Sequence, residues 1–187
     1  MDMEKLDRNS WLLEGVKILE SEGFLRITID NLCEKQKRSK GSLYFHFKNI
    51  DGYIEALMKY WLEKCTVNFI KTADAITNIN KRFIDLKDFA SLVSQKAEQA
   101  IRAWSFSNEI VRLYVRKVDN MRMKYLIDLN VKTGMSAKEA EVYATLEYST
   151  MIGIQQLNPN ISQEDFKNLY LVFRDIKIQA GYIRIDE

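Results

Sequence analysis

Residues 39–48 read SKGSLYFHFK, and this stretch decides how the rest of the chain is interpreted. Ser39 is a residue type that caps helix N-termini, and Gly41 lies in the first turn of the helix that would follow it. A basic turn, residues 36–38, separates this predicted helix from a shorter one over Thr28 to Lys35. Two short helices joined by a brief turn form a helix-turn-helix, whose second helix enters the DNA major groove.

The flanking sequence predicts further helices. Apolar residues recur at helical spacing from residue 8 to 22, and Gly23 stands where that helix would end. Proline occurs once, as Pro159, which favours an all-helical chain. The other predicted helices run from Asn49 or Asp51 to about Ile76, from Leu86 to Trp104, from Ser107 or Asn108 to before Gly134, from the capping box Ser136–Glu139 to before Asn158, and from Ser162 to near Gly181.

Charge and composition favour some classes of function and exclude others. The net charge is only +2, yet residues 35–50 hold five cations and no acid. Such a patch is a candidate phosphate footprint, and a solvated helix face is the alternative. The two cysteines lack metal-ligand spacing, and no nucleophile–base pattern or phosphate loop is visible. We therefore expect no metal, no cofactor, no catalytic residues and no enzymatic activity. A charged N-terminus without an apolar core and the absence of a long apolar run favour a cytoplasmic protein that does not enter the membrane.

From Gly23 through Thr28 to the stretch Ser39–Phe47, the sequence resembles the tetracycline-repressor (TetR) family of bacterial transcription regulators. The resemblance implies an all-α fold of about nine helices. Residues 1–48 would form a three-helix helix-turn-helix DNA-binding domain, and residues 49–187 a larger helical ligand-binding and dimerisation domain. It also implies a homodimer on a palindromic operator in double-stranded DNA, acting as a repressor that an unidentified small-molecule effector releases.

The resemblance and the positions of the side chains assign DNA-contact roles to individual residues. Lys40 and Ser42 lie where side chains reach base edges, and Gly41 would let the backbone approach DNA closely. Tyr44 and His46 match family positions that touch the DNA backbone, and Lys48 can pair with phosphate. The complete set of predicted DNA-binding residues is Thr28, Lys37, Arg38, Ser39, Lys40, Gly41, Ser42, Tyr44, Phe45, His46 and Lys48. For Phe45 the alternative to a DNA contact is packing within the helical module, and for His46 it is a surface or core position without a DNA contact.

The sequence departs from the family in and near the turn. Lys37 replaces a usual glycine, Arg38 a buried valine, and Gln36 a small apolar residue. Ile50 replaces a lysine that contacts phosphate. We expect either a turn of different shape or an Arg38 side chain that extends to the DNA. The alternative function is a helical small-molecule-binding protein whose DNA-reading head is weakened.

Two further sets of residues are predicted in the helical body, with core packing as the alternative for each. The candidate ligand-cavity residues are Trp61, Trp104, Phe106, Tyr114, Met121 and Tyr125. The candidate dimer-interface residues on the last two helices are Tyr143, Leu146, Phe166, Tyr170 and Phe173.

Overall fold

The computed structural model describes residues 3–79, 81–82, 94–158 and 160–182, apart from the side chains of residues 3–7, 163, 170, 173 and 174. Within these ranges the regular structure is helical, which confirms the predicted all-α class. The α-helices described are α1 (Met3–Ser21), α2 (Ile29–Gln36), α3 (Lys40–Phe47), α4 (Ile50–Leu62), α5 (Asn68–Asp74), α6 (Gln95–Trp104), α7 (Glu109–Lys132), α8 (Ala137–Leu157) and α9 (Gln163–Gln179). None of these nine has both the length and the apolar character needed to cross a membrane.

Side-chain caps fix where most of these helices begin. The side-chain oxygens of Thr28, Ser39 and Asn49 each accept a hydrogen bond from the backbone N–H three residues later, at 3.2, 3.3 and 2.7 Å. At the start of α8, Ser136 and Glu139 form the predicted capping box. Each cap satisfies a backbone donor that the first helical turn leaves without a partner, so these boundaries follow from local sequence.

Three boundaries differ from the prediction. Helix α1 begins at Met3 rather than at residue 8, and α6 begins at Gln95, where Ser94 is extended and caps it. The start predicted at Leu86 lies outside the described residues. The helix predicted to run from Asn49 to about Ile76 is interrupted by a π-helical turn over Glu63–Val67. Arg122 donates to the Cys65 carbonyl at 3.2 Å and to the Thr66 hydroxyl at 3.1 Å, which stabilises that turn from α7.

The described residues pack into two units. The first is formed by residues up to 64 together with 94–117, and the second by the remaining described residues. The first unit has fully buried side chains from α1 to α4, including Trp11, Leu32, Leu43 and Leu57. The second is built on buried residues of α5, α7 and α8, among them Ala73, Leu129, Ala144 and Tyr148. The division predicted at residue 48 is finer than this packing and stays a prediction.

Candidate nucleic-acid interface

Helix α2 is anchored at both its apolar face and its N-terminus. Leu32 is fully buried and Cys33 is 9% exposed, and burial raises the pKa of the Cys33 thiol. Asn31 is also buried, and its side-chain amide donates to the Arg26 carbonyl at 3.0 Å. Thr28 is exposed, and although its hydroxyl oxygen accepts from the Asn31 N–H, its own hydrogen is available for donation. The helix N-terminus therefore presents a hydroxyl at the surface, where an anion such as phosphate is favoured.

The turn after α2 has the backbone of a glycine turn although a lysine occupies it. Lys37 has φ 52° and ψ 43°, the left-handed conformation that glycine adopts most easily. Its N–H and that of Arg38 close the helix end on the Cys33 and Glu34 carbonyls. Both side chains are exposed, and the Arg38 guanidinium lies 5.9 Å from the Trp11 ring centroid. Lys37, which stands where the family usually has glycine, thus keeps the shape of the turn at the cost of a strained backbone at that residue.

Replacing Lys37 with glycine is expected to raise the free energy of unfolding. Left-handed backbone costs a non-glycine residue about 1–2 kcal/mol, and the added freedom of glycine in the unfolded chain returns about 0.4–1 kcal/mol of this, so the net gain is about 0.5–1 kcal/mol. Urea unfolding measures it. Lys59→Gly, at an exposed site within α4, is the matched control and should lose about 1 kcal/mol. Equal losses in both variants would contradict the strain argument.

Helix α3 has buried apolar side chains and exposed polar and aromatic ones. Leu43 and Phe47 are 0% and 4% exposed and hold the helix on the unit's core. The exposed side chains are those of Lys40, Tyr44 and Phe45, with Lys48 directly after the helix. Gly41 is also exposed, and Ser42 and His46 are half-buried. Most of the predicted reading residues are therefore open to solvent on a helix that its apolar side chains fix in place.

The end of α3 is held very close to α4. The Phe47 and Tyr53 rings meet edge to face with centroids 5.0 Å apart, and the Tyr53 hydroxyl donates to the Trp11 carbonyl at 2.8 Å. A Cβ on Gly52 would overlap the carbonyl oxygen of Phe47, so only glycine fits this approach. Tyr53 thereby ties α4 to α1, and Gly52 ties α4 to the end of α3.

Two contacts to α1 were not predicted. Gln36 bridges to Ser10, with its amide N–H donating to the Ser10 carbonyl and its amide oxygen accepting from the Ser10 hydroxyl, both at 3.3 Å. The same amide group lies 3.3 Å from the Glu14 carboxylate. Arg8 places its guanidinium 5.0 Å from the Phe47 ring centroid, which adds a cation beside α3. Both contacts join residues that lie more than 20 positions apart, so no local pattern could have indicated them.

The predicted ligand-cavity residues are divided between the two units. Trp61 and Trp104 are 3% and 6% exposed in the first unit, and Trp104 stacks on Phe24. Tyr114 is half-buried there, 4.8 Å from the Lys117 ammonium, and burial raises the pKa of its phenol. Phe106 is 86% exposed, so its ring does not line an enclosed space in its unit. The other two cavity candidates, Met121 and Tyr125, are half-buried in the second unit.

The predicted dimer-interface residues all belong to the second unit and differ in how exposed they are. Phe166 is 1% exposed, so its ring packs inside the second unit instead of facing outward. Tyr143 is half-buried against Tyr182, and Leu146 is 56% exposed. The side chains of Tyr170 and Phe173 lie outside the described part. Further exposed apolar residues on these two helices are Val142 on α8 and Leu169, Val172 and Ile176 on α9, and the three on α9 recur at helical spacing in the sequence.

Comparison with solved structures identifies the fold. The chain superposes with a TM-score of 0.72 on a protein from Rhodococcus sp. assigned to the TetR family of transcriptional regulators, at 17% sequence identity over 91% of this chain and 97% of that one. It also superposes with a TM-score of 0.73 on a protein from Pseudomonas aeruginosa PAO1 assigned as a transcriptional regulator, at 14% identity over 97% of this chain and 94% of that one. No protein-family model and no curated protein matches the sequence. The predicted TetR-like fold is therefore confirmed.

Proposed function

We propose that this chain is a sequence-specific DNA-binding transcription regulator. The observation that carries the proposal is α3: its buried apolar side chains fix the helix, while a cation, a glycine and two aromatic side chains of the same helix are exposed. A capped helix with exposed polar residues in its first turn is how a recognition helix meets base edges. The fold shared with two proteins assigned as transcriptional regulators supports the same function.

The proposed contacts follow from where the side chains lie. Lys40, in the first turn of α3, is placed to donate to guanine acceptors in the major groove. The Thr28 hydroxyl and the N-terminus of α2 would bind one backbone phosphate, and Lys48 another. Lys37, Arg38 and Arg8 add cations around this surface and compensate for Ile50, which stands where a phosphate-binding lysine is usual.

The glycine at position 41 gives a test that separates DNA binding from folding. A Cβ on Gly41 would come no closer than 3.6 Å to the Ser39 hydroxyl, so Gly41→Ala should fold normally and gain up to about 1 kcal/mol of stability. If the α3 backbone lies against DNA, the added methyl group should weaken binding about tenfold, or ~1.4 kcal/mol. Thermal unfolding and fluorescence-anisotropy titration measure the two effects.

The control is Asn120→Ala at an exposed site within α7, which likewise replaces a weaker helix former with alanine. It should raise stability in the same way and leave DNA affinity unchanged. Unchanged affinity in Gly41→Ala would contradict the placement of α3 in the groove. Absence of sequence preference in the wild-type protein would favour the alternative, a small-molecule-binding protein with a weakened DNA-reading head.

We further propose that the regulator is a homodimer on a palindromic operator, paired through α8 and α9. Supporting this, Val142 and Leu146 are exposed on α8, and Leu169, Val172 and Ile176 on α9. A two-fold axis makes such a patch contact its own copy, which brings the two recognition helices to successive half-sites.

Leu146→Glu is expected to separate the dimer into monomers. Because symmetry places the new carboxylate in the interface twice, we expect the dimer dissociation constant to rise at least about a hundredfold. Light scattering after size exclusion measures the mass. Leu113→Glu, at a similarly exposed leucine on α7, should leave the mass unchanged. A Leu146→Glu protein that remains dimeric would contradict the assigned interface.

The regulator is proposed to act as a repressor that a small-molecule effector releases from DNA. The support for this step is the family resemblance of the sequence together with the half-buried Met121 and Tyr125, which lie in the second unit. Burial raises the pKa of the Tyr125 phenol to about 12, so at neutral pH it would offer an effector a neutral hydroxyl. A screen for compounds that release a labelled operator duplex tests this step.

A further inference from the structure

An ion pair joins the two helices of the helix-turn-helix on its exposed side. The ammonium of Lys40, the first residue of α3, lies 2.5 Å from a carboxylate oxygen of Asp30 in the first turn of α2. Both side chains are open to solvent, at 59% and 80% exposure. The carboxylate raises the pKa of the Lys40 ammonium through this hydrogen bond, so Lys40 stays charged at neutral pH.

The pair affects phosphate and base contacts differently. A lysine ammonium has three donors, so one bond to Asp30 leaves two for acceptors on a base edge. Attraction to phosphate depends instead on net charge, and the neighbouring carboxylate largely cancels the charge of Lys40. Lys40 can therefore still donate to a guanine while adding little to binding of arbitrary DNA.

We propose that Asp30 is a specificity-determining residue that suppresses non-specific DNA binding by neutralising Lys40. The inference rests on the proposed DNA-binding function and adds a residue to it. Asp30 lies beside the α2 N-terminus, which otherwise favours phosphate, so its carboxylate also opposes phosphate where Thr28 would attract it. Operator DNA still binds, because its base acceptors can receive hydrogen bonds from the two Lys40 N–H donors that Asp30 does not occupy.

Asp30→Asn tests the proposal in the full-length protein, with a duplex of scrambled sequence as the probe. Its affinity for that duplex should rise roughly three- to fivefold, the effect of removing an exposed ion pair and one repulsive charge. The plot of log affinity against log salt should steepen by about one, because Lys40 then neutralises one more phosphate. Preference for an operator duplex selected from random sequence should fall accordingly.

Two controls make the result specific. Glu34→Gln removes an exposed carboxylate one turn further along α2, and it should change affinity and salt slope much less. In a Lys40→Met background, Asp30→Asn should no longer steepen the salt dependence by about one, and its gain in affinity should be smaller, because only the repulsive charge beside the α2 N-terminus is then removed. Thermal unfolding confirms that each variant is folded.

The outcomes distinguish this inference from the proposed function. If the wild-type protein binds DNA and Asp30→Asn behaves like Glu34→Gln, or keeps its full effect without Lys40, the role of Asp30 is overturned. If the wild-type protein binds no duplex even at low salt, the proposed function fails and the inference fails with it.

Discussion

Glu147→Gln is expected to lower the free energy of unfolding by about 3 kcal/mol. Glu147 and Lys177 are fully buried, with 2.7 Å between the carboxylate and the ammonium, and Lys177 also donates to the Asn130 amide oxygen at 2.8 Å. Removing one partner of a buried ion pair costs about 3–5 kcal/mol, because the remaining charge loses its compensation. The amide keeps part of the hydrogen bonding, which places the loss at the lower end. Urea unfolding followed by circular dichroism measures it.

The pH dependence shows whether the uncompensated charge is the cause. Burial already lowers the pKa of the Lys177 ammonium, and the Glu147 carboxylate opposes that effect. In the variant the folded-state pKa should fall further below the unfolded value. Between these two pKa values the unfolded chain binds more protons, so stability should rise with pH. The deficit of Glu147→Gln should therefore shrink as the pH rises above the folded-state pKa towards the unfolded lysine pKa of about 10.4.

Glu141→Gln, an exposed position on the same helix, is the control and should be close to neutral. The double variant Glu147→Leu with Lys177→Met should recover most of the stability, since apolar replacements of a buried pair are often neutral. A single Glu147→Gln variant as stable as the wild type would show that the pair contributes little.

Gly52→Ala is expected to lower stability by about 3 kcal/mol and to weaken DNA binding. Its Cβ would overlap the Phe47 carbonyl oxygen, which is backbone and cannot rotate away, so the end of α3 must separate from α4. Overpacking of this kind costs about 1–3 kcal/mol, and the rigid partner atom places the cost at the upper end. Displacing α3 would misplace Lys40 and Tyr44 together. Thermal unfolding and anisotropy titration below the transition report the two effects.

Gly41→Ala is the comparison for this variant, because an alanine there meets no close atom and its effect should be confined to DNA. A Gly52→Ala protein with wild-type stability and wild-type affinity would contradict the role given to the contact between α3 and α4.

Local features of the structure were predictable from sequence. Thr28, Ser39 and Ser136 mark helix starts because a cap depends on residues three positions away. Leu43 and Phe47 lie four residues apart in the sequence, a spacing that puts two apolar residues on one helix face, and both are buried. The predicted DNA-reading residues lie close together in the sequence, at the start of one short helix, in the turn and on the next helix, and most of them are exposed.

Features that depend on distant contacts were not predictable. Lys177 is buried only because Glu147 and Asn130, 30 and 47 positions earlier, meet it in the core. Phe166 faces inward and Val172 outward, although both are apolar residues of one helix, so composition alone could not separate core from exposed positions. Lys37 takes a glycine-like backbone because the rest of the turn requires it.

The most direct test of the central claim is a fluorescence-anisotropy titration of the protein against the DNA immediately upstream of its own gene and against a scrambled duplex, at several salt concentrations. A sequence-specific regulator should prefer the upstream duplex by about a thousandfold or more, with affinity that falls steeply as salt rises. Equal and weak binding to both duplexes, together with failure to select any preferred sequence from random DNA, would contradict the proposed function.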